Sequence, residues 1–315
     1  MSVRSAVRSA LEPLLGEERL LRLGQAERDA RRRLAEMLAP SSLPPQPGSP
    51  AESSWRSANG PADHRPVGSF PEPTATLHKF LGGLHKSFAP RTYLEIGVRK
   101  GASLALSSAR SIGVDPAYQI TAPIRGVVEL VRTTSDDFFA RPDPIAFFDG
   151  QPVDLALIDG LHLAEFAFRD FANAERLCGP ASVIVLDDML PRTRAEAGRT
   201  RCPGPWAGDV YKVASILRER RPDLTVIPVN TRPTGVVVVI GLDPESTVLL
   251  DSFPELRSEL ESPDPQRVPA DVFARTGAAD PVELLASPLW QRLQELRGDA
   301  DRTAVAGAIG ALIRA

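Results

Sequence analysis

The amino-acid sequence predicts an α/β protein: a mostly parallel sheet of seven strands, with an antiparallel last strand and helices on both faces. Three observations support this fold class. Short, almost continuously apolar segments recur along the chain, which is typical of strands buried on both faces. Longer segments with apolar residues at helical spacing separate most of them, and this alternation favours a parallel sheet. The last two apolar segments are joined by a loop too short for a crossover.

The predicted elements follow from these patterns in chain order. Strands are expected at residues 92–97, 111–115, 127–132, 153–158, 182–186, 224–229 and 235–240. Helices are expected at residues 74–88, 101–110, 163–178 and 209–220, with further helical stretches near 281–296 and 302–314. Because only residues 230–234 join the last two strands, they should form an antiparallel hairpin.

Four regions are predicted along the chain. Residues 1–39 mix leucines with many charges and are expected to form a helical extension, a candidate surface for a homo-oligomer. Residues 40–73 are rich in proline, serine and glycine and are interpreted as a linker. The α/β pattern occupies residues 74–245, and residues 246–315 form a mixed, partly helical tail.

Composition excludes several classes of function. The chain has 315 residues, 43% of them hydrophobic, with a net charge of −3, so it can bury a full core. It lacks the basic excess expected of a nucleic-acid-binding protein and any apolar run of the ~20 residues that span a bilayer. Its two cysteines, Cys178 and Cys202, indicate neither a disulfide framework nor a metal site. A cytoplasmic protein with no nucleic-acid or membrane partner is expected.

The first predicted strand ends in a turn that carries two glycines, Gly97 and Gly101. Their spacing is Gly-x-x-x-Gly rather than the Gly-x-Gly-x-x-Gly of dinucleotide sites. Glu95 precedes the first glycine, and a carboxylate there would repel a pyrophosphate. It would suit a ligand with a cationic amine and no phosphate, such as S-adenosylmethionine (SAM). An NAD-dependent oxidoreductase is therefore disfavoured.

Further side chains are candidate contacts for SAM. Asp115 ends the second strand, where a carboxylate can accept hydrogen bonds from ribose hydroxyls. Ser103, Ser135 and Asp159 follow the ends of other strands. The alternative is an ordinary turn with a glycine for geometry and an exposed acid, and Ser135 could simply start a helix.

Acids also end the fourth and fifth strands. Asp159 follows the fourth strand, and Asp187 and Asp188 follow the fifth. Carboxylates on neighbouring strand ends can meet around one divalent cation such as Mg²⁺. Alternatively, Asp187 caps the next turn and Asp188 is solvated. His162 lies close to Asp159 in the sequence and is a candidate catalytic base beside such a cation, or else a surface or capping histidine.

Together these motifs resemble the class I SAM-dependent methyltransferases, a family with a Rossmann-like sheet. The resemblance covers about residues 74–245 and lies in Leu94-Glu95-Ile96-Gly97-x-x-x-Gly101, Gly113-Val114-Asp115, Ile158-Asp159-Gly160-x-His162 and Leu186-Asp187-Asp188. More narrowly, it is similar to metal-dependent O-methyltransferases of the macrocin and mycinamicin type, which act on sugars of macrolides. It implies that Glu95, Gly97, Gly101 and Asp115 hold SAM, that Asp159, Asp187 and Asp188 hold magnesium, and that His162 is the base. Some relatives carry an acid where this chain has Leu161, so the base assignment depends on His162.

The resulting hypothesis is a SAM-dependent, Mg-dependent O-methyltransferase. Its partner would be a small-molecule acceptor, a sugar or a glycosylated natural product. Two alternatives stay open: a non-catalytic SAM-fold scaffold in a biosynthetic complex, and a metal-independent methyltransferase acting on another small molecule.

Overall fold

The computed structural model describes residues 65–298 and 301–313. The predicted helical extension at 1–39 and the part of the predicted linker before residue 65 lie outside the described residues. Residues 65–74 contain neither helix nor strand. Within the described residues, no helix combines the length and the apolar character needed to cross a bilayer.

The described elements are numbered in chain order. They begin with β1 (Ala75–Thr76), α1 (Leu77–Phe88), β2 (Thr92–Ile96), β3 (Arg110–Val114), β4 (Val128–Val131), α2 (Ser135–Phe139), β5 (Val153–Ile158), α3 (Ala164–Glu175) and β6 (Cys178–Leu186). They continue with α4 (Lys212–Arg220), β7 (Thr225–Val229), β8 (Thr231–Arg232), β9 (Val236–Ile240), α5 (Val248–Leu260), α6 (Ala270–Phe273), α7 (Pro281–Ala286), α8 (Leu289–Glu295) and α9 (Arg302–Ile313).

Seven strands form one sheet in the order β4-β3-β2-β5-β6-β9-β7. Strand β9 is antiparallel to both of its neighbours, while the other pairs are parallel. The predicted fold class is therefore confirmed, including the hairpin of the last two strands. From β2 the chain builds outward to β3 and β4 and then returns to β5 on the other side of β2. The strand order reverses there, and such a switch point is where open α/β sheets bind ligands.

The strands are apolar because helices cover the sheet. Every residue of β5 and β9 is buried, which explains their unbroken apolar sequences. One cluster joins α1 and the C-terminal helices to the sheet; it includes Phe80 and Leu84 of α1, Trp290 and Leu293 of α8, Val305 and Ile309 of α9, and Val183 and Val238 of the sheet. Helix α3 lies outside this cluster and packs on β5 and β6. The tail thus supplies part of the core.

The prediction of a helix at residues 101–110 is wrong. Only a short 3-10 turn forms there, at Leu104–Leu106. The Ser107 hydroxyl accepts a hydrogen bond from the Ala109 backbone N–H, at 3.1 Å, and lies 3.1 Å from the Ser111 hydroxyl. Serines compete in this way with helical hydrogen bonds, and three of them follow Gly101 in this segment.

The helix predicted near residues 281–296 is present but divided. Helix α7 ends at Ala286 and α8 begins at Leu289. Pro288 lies between them, and a proline has no N–H to continue a helix.

Candidate active site

Four strand ends lie at the same level on one edge of the sheet. Ile96 of β2 pairs with Val114 of β3 and with Ile158 of β5, and Ile158 pairs with Leu186 of β6. The next residue in each case is one of those predicted for the site: Gly97, Asp115, Asp159 and Asp187. The structure therefore brings the predicted donor and metal residues to one edge at the switch point.

The turn after β2 packs directly on the loop after β5. Gly97 has φ +95°, and a Cβ atom there would lie 1.9 Å from the carbonyl oxygen of Asp159. No side chain fits at that distance, so a glycine is required for the close approach. Gly101 closes the same turn with φ +77°, and its N–H donates to the Val98 carbonyl oxygen at 2.7 Å. A ligand held by this turn would therefore lie beside Asp159.

Asp115 fastens the turn after β2 to the end of β3. Its Oδ2 accepts a hydrogen bond from the Arg99 backbone N–H at 2.7 Å, and its Oδ1 accepts one from the Ala117 N–H at 2.6 Å. Each carboxylate oxygen retains a lone pair that can accept a further hydrogen bond. The geometry is compatible with ribose binding, and that role stays a prediction.

Glu95 is a buried acid whose side chain is bonded within the protein. It is 1% exposed, and its Oε2 accepts a hydrogen bond from the Tyr93 hydroxyl at 2.7 Å. Burial raises the pKa of Glu95 to about 8, although the Tyr93 hydroxyl acts in the opposite direction. The carboxyl is therefore mostly protonated at neutral pH. This corrects the expectation of a charged group that repels pyrophosphate, and a direct contact of Glu95 with SAM stays a prediction.

The two predicted serines lie at the starts of neighbouring elements. Ser103 is 9% exposed and immediately precedes the 3-10 turn Leu104–Leu106. Ser135 is the first residue of α2, and its side chain is hydrogen-bonded to the buried Asp170. Contacts of these two serines with SAM stay predictions.

Asp159, His162 and Asp188 form a compact group. Each offers one ligand atom, and the three atoms lie within 4.8 Å of one another. His162 Nε2 lies 3.3 Å from Asp159 Oδ1, and His162 Nδ1 lies 2.7 Å from Asp188 Oδ2. His162 and Asp188 both have φ +63°, an uncommon backbone conformation for residues other than glycine.

The charge of His162 is set by this group. Burial alone would lower the pKa of His162, but the carboxylates of Asp159 and Asp188 outweigh it and raise the pKa well above its usual value. In the geometry described, the imidazole lies between two acidic side chains that favour its protonated form. The predicted role of His162 as a base requires the neutral form, and it stays a prediction.

Asp187 lies beside the group and not within it. The structure brings Asp159 and Asp188 together with His162, whereas the sequence predicted Asp187 as the third ligand. Asp187 lines the same small pocket as the other three. Burial, followed by repulsion from Asp188 and Asp159, raises its pKa well above the usual value. A cation bound at this site would reduce the repulsion between Asp187 and the other two acids. Ligation by Asp187 stays a prediction.

The donor set fits a divalent cation. Two carboxylate oxygens and one imidazole nitrogen are ligands that Mg²⁺, Mn²⁺ and related ions accept. Adjacent ligands of one small ion are separated by about 3 Å and opposite ones by about 4 Å, so the group needs only small movements. In addition, His162 Nδ1 is buried and makes no hydrogen bond of good geometry despite its short distance to Asp188.

The segment after β6 covers His162. The Trp206 ring stacks on the His162 imidazole, with 5.4 Å between the ring centroids and 10° between the planes. Gly208 has φ +70°, and a Cβ atom there would lie 1.7 Å from the His162 carbonyl oxygen. Buried Asp209 accepts a hydrogen bond from the Ala164 N–H at the start of α3. The position of His162 is therefore determined by packing on both sides.

One residue of the site had no signal in the sequence motifs. Thr234 lies in the loop between β8 and β9, and its hydroxyl donates a hydrogen bond to Asp188 Oδ1. Its side chain belongs to a hairpin that the sequence predicted, but only the packing of that hairpin on the end of β6 places it at the acids.

Comparison with known proteins found a matching family model and similar solved structures. Residues 94–189 match a family model described as a methyltransferase domain, and no curated protein matches the chain. An O-methyltransferase from Streptomyces achromogenes involved in tomaymycin synthesis, solved with SAM, is 21% identical. That match covers 64% of this chain and 92% of that one, with a TM-score of 0.38. An O-methyltransferase from Bacillus cereus in complex with SAH is 18% identical over 66% of this chain and 96% of that one, with a TM-score of 0.37.

The family match covers the edge of the sheet described above. It runs from β2 to the end of β6 and contains every residue predicted for the donor and metal sites. Over residues 94–189, this match confirms the prediction of a methyltransferase domain.

Proposed function

We propose that this chain is a SAM-dependent O-methyltransferase that uses a divalent cation, Mg²⁺, to methylate a hydroxyl of a sugar or a glycosylated natural product. The observation that carries the proposal is the group Asp159, His162 and Asp188 beside the Gly97 turn. Because the turn packs on the backbone of Asp159, a donor in the turn and an acceptor at the acids would be neighbours.

The reaction makes clear demands on these residues. The acceptor oxygen attacks the methyl carbon of SAM, and the C–S bond breaks with its electron pair moving to sulfur. The acceptor hydroxyl gives up its proton to a base. A bound divalent cation would lower the pKa of that hydroxyl. Asp159 and Asp188 would hold the ion with His162 or Asp187, and a neutral His162 could take the proton.

The sugar acceptor is supported by the motifs at the ends of β5 and β6. Ile158-Asp159-Gly160-x-His162 and Leu186-Asp187-Asp188 resemble those of methyltransferases that act on sugars of macrolides. A pair of neighbouring hydroxyls, as in a sugar, could also bind one cation together. Trp206 is half-buried at the same place, and an aromatic ring there suits the apolar face of a sugar or a ring.

The test is methyl transfer from labelled SAM to a panel of glycosylated acceptors, with and without EDTA. Transfer should stop in EDTA and return with added Mg²⁺. Asp188→Asn should reduce kcat more than about 100-fold, because it removes a ligand charge. Asp143→Asn is the control, since Asp143 is an exposed loop residue. Full activity in EDTA would show that the proposed use of a cation is wrong, but it would not contradict methyl transfer from SAM.

A metal-independent methyltransferase is the alternative, and one observation favours it. The His162 imidazole already lies between the Asp159 and Asp188 side chains, which favour its protonated form, and in that form it would balance part of their charge. Mn²⁺ binding separates the two proposals, because a metal-independent enzyme would show no saturable Mn²⁺ site that Asp188→Asn abolishes.

A further inference from the structure

Arg275 is a buried cation in the C-terminal tail, outside the segment that matches the methyltransferase model. It lies just after α6, is 2% exposed and has φ +53°. Burial lowers the pKa of its guanidinium to about 10. Burying a charged group costs free energy unless its contacts compensate for the lost water. Those contacts therefore indicate what the residue does.

The guanidinium of Arg275 joins two segments that meet at the end of β6. Its Nη1 donates to the Asn230 side-chain oxygen at 2.6 Å and to the Thr231 carbonyl oxygen at 3.1 Å. Its Nη2 donates to the carbonyl oxygens of Leu190, at 3.0 Å, and Pro233, at 2.6 Å. All four acceptors are neutral. A planar guanidinium suits this task, because its donors are arranged in a rigid fork.

Asp159, His162 and Asp188 are called the metal group below. One of the two segments carries a member of this group, and the other carries a residue that hydrogen-bonds to it. Asp188 lies two residues before Leu190, and Thr234 follows Pro233. The Thr234 hydroxyl donates to Asp188 Oδ1, and the Leu190 N–H donates to the Thr234 carbonyl oxygen at 2.5 Å. Arg275 therefore bridges Leu190 and Pro233, which belong to the two segments that carry Asp188 and Thr234.

We propose that Arg275 is a positioning residue for the metal group: it fixes the loop of Thr234 so that the hydroxyl orients Asp188 for a divalent cation. The inference rests on the proposed function. Residues that hydrogen-bond to a metal-ligating side chain and fix its orientation typically contribute about 10–100-fold to metal affinity. The tail would thereby contribute to the site as well as to the core.

A half-buried arginine with similar contacts, Arg297, provides a control, although its Nε also lies 3.4 Å from Asp154 Oδ2. Arg297 donates to the carbonyl oxygens of Phe88, at 2.6 Å, and Ala89, at 2.8 Å, and its guanidinium lies 4.5 Å from the centroid of the Phe88 ring. Arg275 has the same kind of contact with Phe70, at 4.1 Å. Both arginines therefore hold backbone carbonyls and cover an aromatic ring. Only Arg275 does so next to Asp188.

The experiment measures Mn²⁺ binding to the full chain by electron paramagnetic resonance and unfolding by thermal melting. Arg275→Met and Arg297→Met should both lower Tm. Only Arg275→Met should weaken Mn²⁺ binding, by about 10–100-fold. Thr234→Val should weaken it similarly with Tm little changed, whereas Thr234→Ser, which keeps the hydroxyl, should bind as the wild type does. The double variant Arg275→Met/Thr234→Val should lose no more affinity than the weaker-binding single variant, because both changes act on one contact.

Each outcome decides the inference. Wild-type Mn²⁺ affinity in Arg275→Met overturns it, as does equal weakening in Arg297→Met. Equal affinity of Thr234→Val and Thr234→Ser, or additive losses in the double variant, overturns the role of the hydroxyl. If Arg275→Met does not fold, Arg275→Lys and the Thr234 pair give the same decision. If the wild type binds no Mn²⁺, the proposed metal site itself is wrong. That result differs from the loss expected in Arg275→Met alone, so failure of the proposed function and failure of this inference can be told apart.

Discussion

Asp170 should make the stability of this protein fall as pH rises. The residue lies on α3 beneath the site and is 2% exposed, and its Oδ1 has no hydrogen-bond partner. Burial raises the pKa of Asp170 to about 7; the hydrogen bond with Ser135 opposes the shift and the charge of Asp136 adds to it. The folded protein therefore binds a proton that the unfolded chain, with a pKa near 3.8, releases.

The sign and size of the effect follow from that difference. A folded-state pKa above the unfolded value means that the contribution to stability is complete below about pH 4 and is lost as pH rises through about 7. The shift is roughly three units, which corresponds to about 4 kcal/mol at high pH. Between pH 5 and pH 8, the expected loss is roughly 3 kcal/mol.

Asp170→Asn removes the charge at every pH with almost no change of shape. We therefore expect the free energy of unfolding of the variant, relative to the wild type, to increase by roughly 3 kcal/mol from pH 5 to pH 8. Urea unfolding at both pH values in EDTA measures this difference, and Asp143→Asn on an exposed loop should give a difference that does not change. A constant difference for Asp170→Asn would refute the reasoning.

Two further predictions concern the turn and the tail. Gly97→Ala should abolish SAM binding in calorimetry and lower Tm well beyond Gly150→Ala, because the new Cβ would clash with Asp159, whereas Gly150, at φ +79°, has nothing within 4 Å. Equal Tm values for the two variants would show that the close approach of Gly97 to the Asp159 backbone does not contribute to stability. Trp290→Ala should cost about 3–5 kcal/mol in urea unfolding, because the ring is 1% exposed in the core. Val282→Ala, at a position 55% exposed, should change stability by less than about 0.5 kcal/mol, and comparable losses in both would show that the tail does not share the core.

The strands could be predicted from sequence because each is an apolar run that the fold buries on both faces. Val236–Ile240 consists of four valines and an isoleucine, and no helix period competes with such a run. Residues 101–110 were misread because small residues permit a helix, while the serine hydroxyls satisfy the backbone in another conformation. Local preference was weak there, so local hydrogen bonds decided the structure.

The acids at the strand ends could be predicted because parallel strands place their ends on one edge. Register then brought Asp159 and Asp187 to the same level, as expected. The register of the strands does not predict which side chains come into contact. His162 rather than Asp187 joined the group of three, and His162 and Asp188 both have left-handed backbone, which few residues other than glycine adopt. No spacing rule contains that information.

The sequence by itself predicted the strands, the final hairpin and a methyltransferase, because apolar runs, glycine spacing and strand-end acids are local and periodic signals, whereas the strand order and the switch point came from the structure. Tertiary structure decided the charge states and the supporting contacts. Burial, not residue type, keeps the Glu95 carboxyl mostly protonated at neutral pH. Arg275 reaches the Leu190 carbonyl across 85 positions of the chain, a contact that exists only once the tail packs against the end of β6.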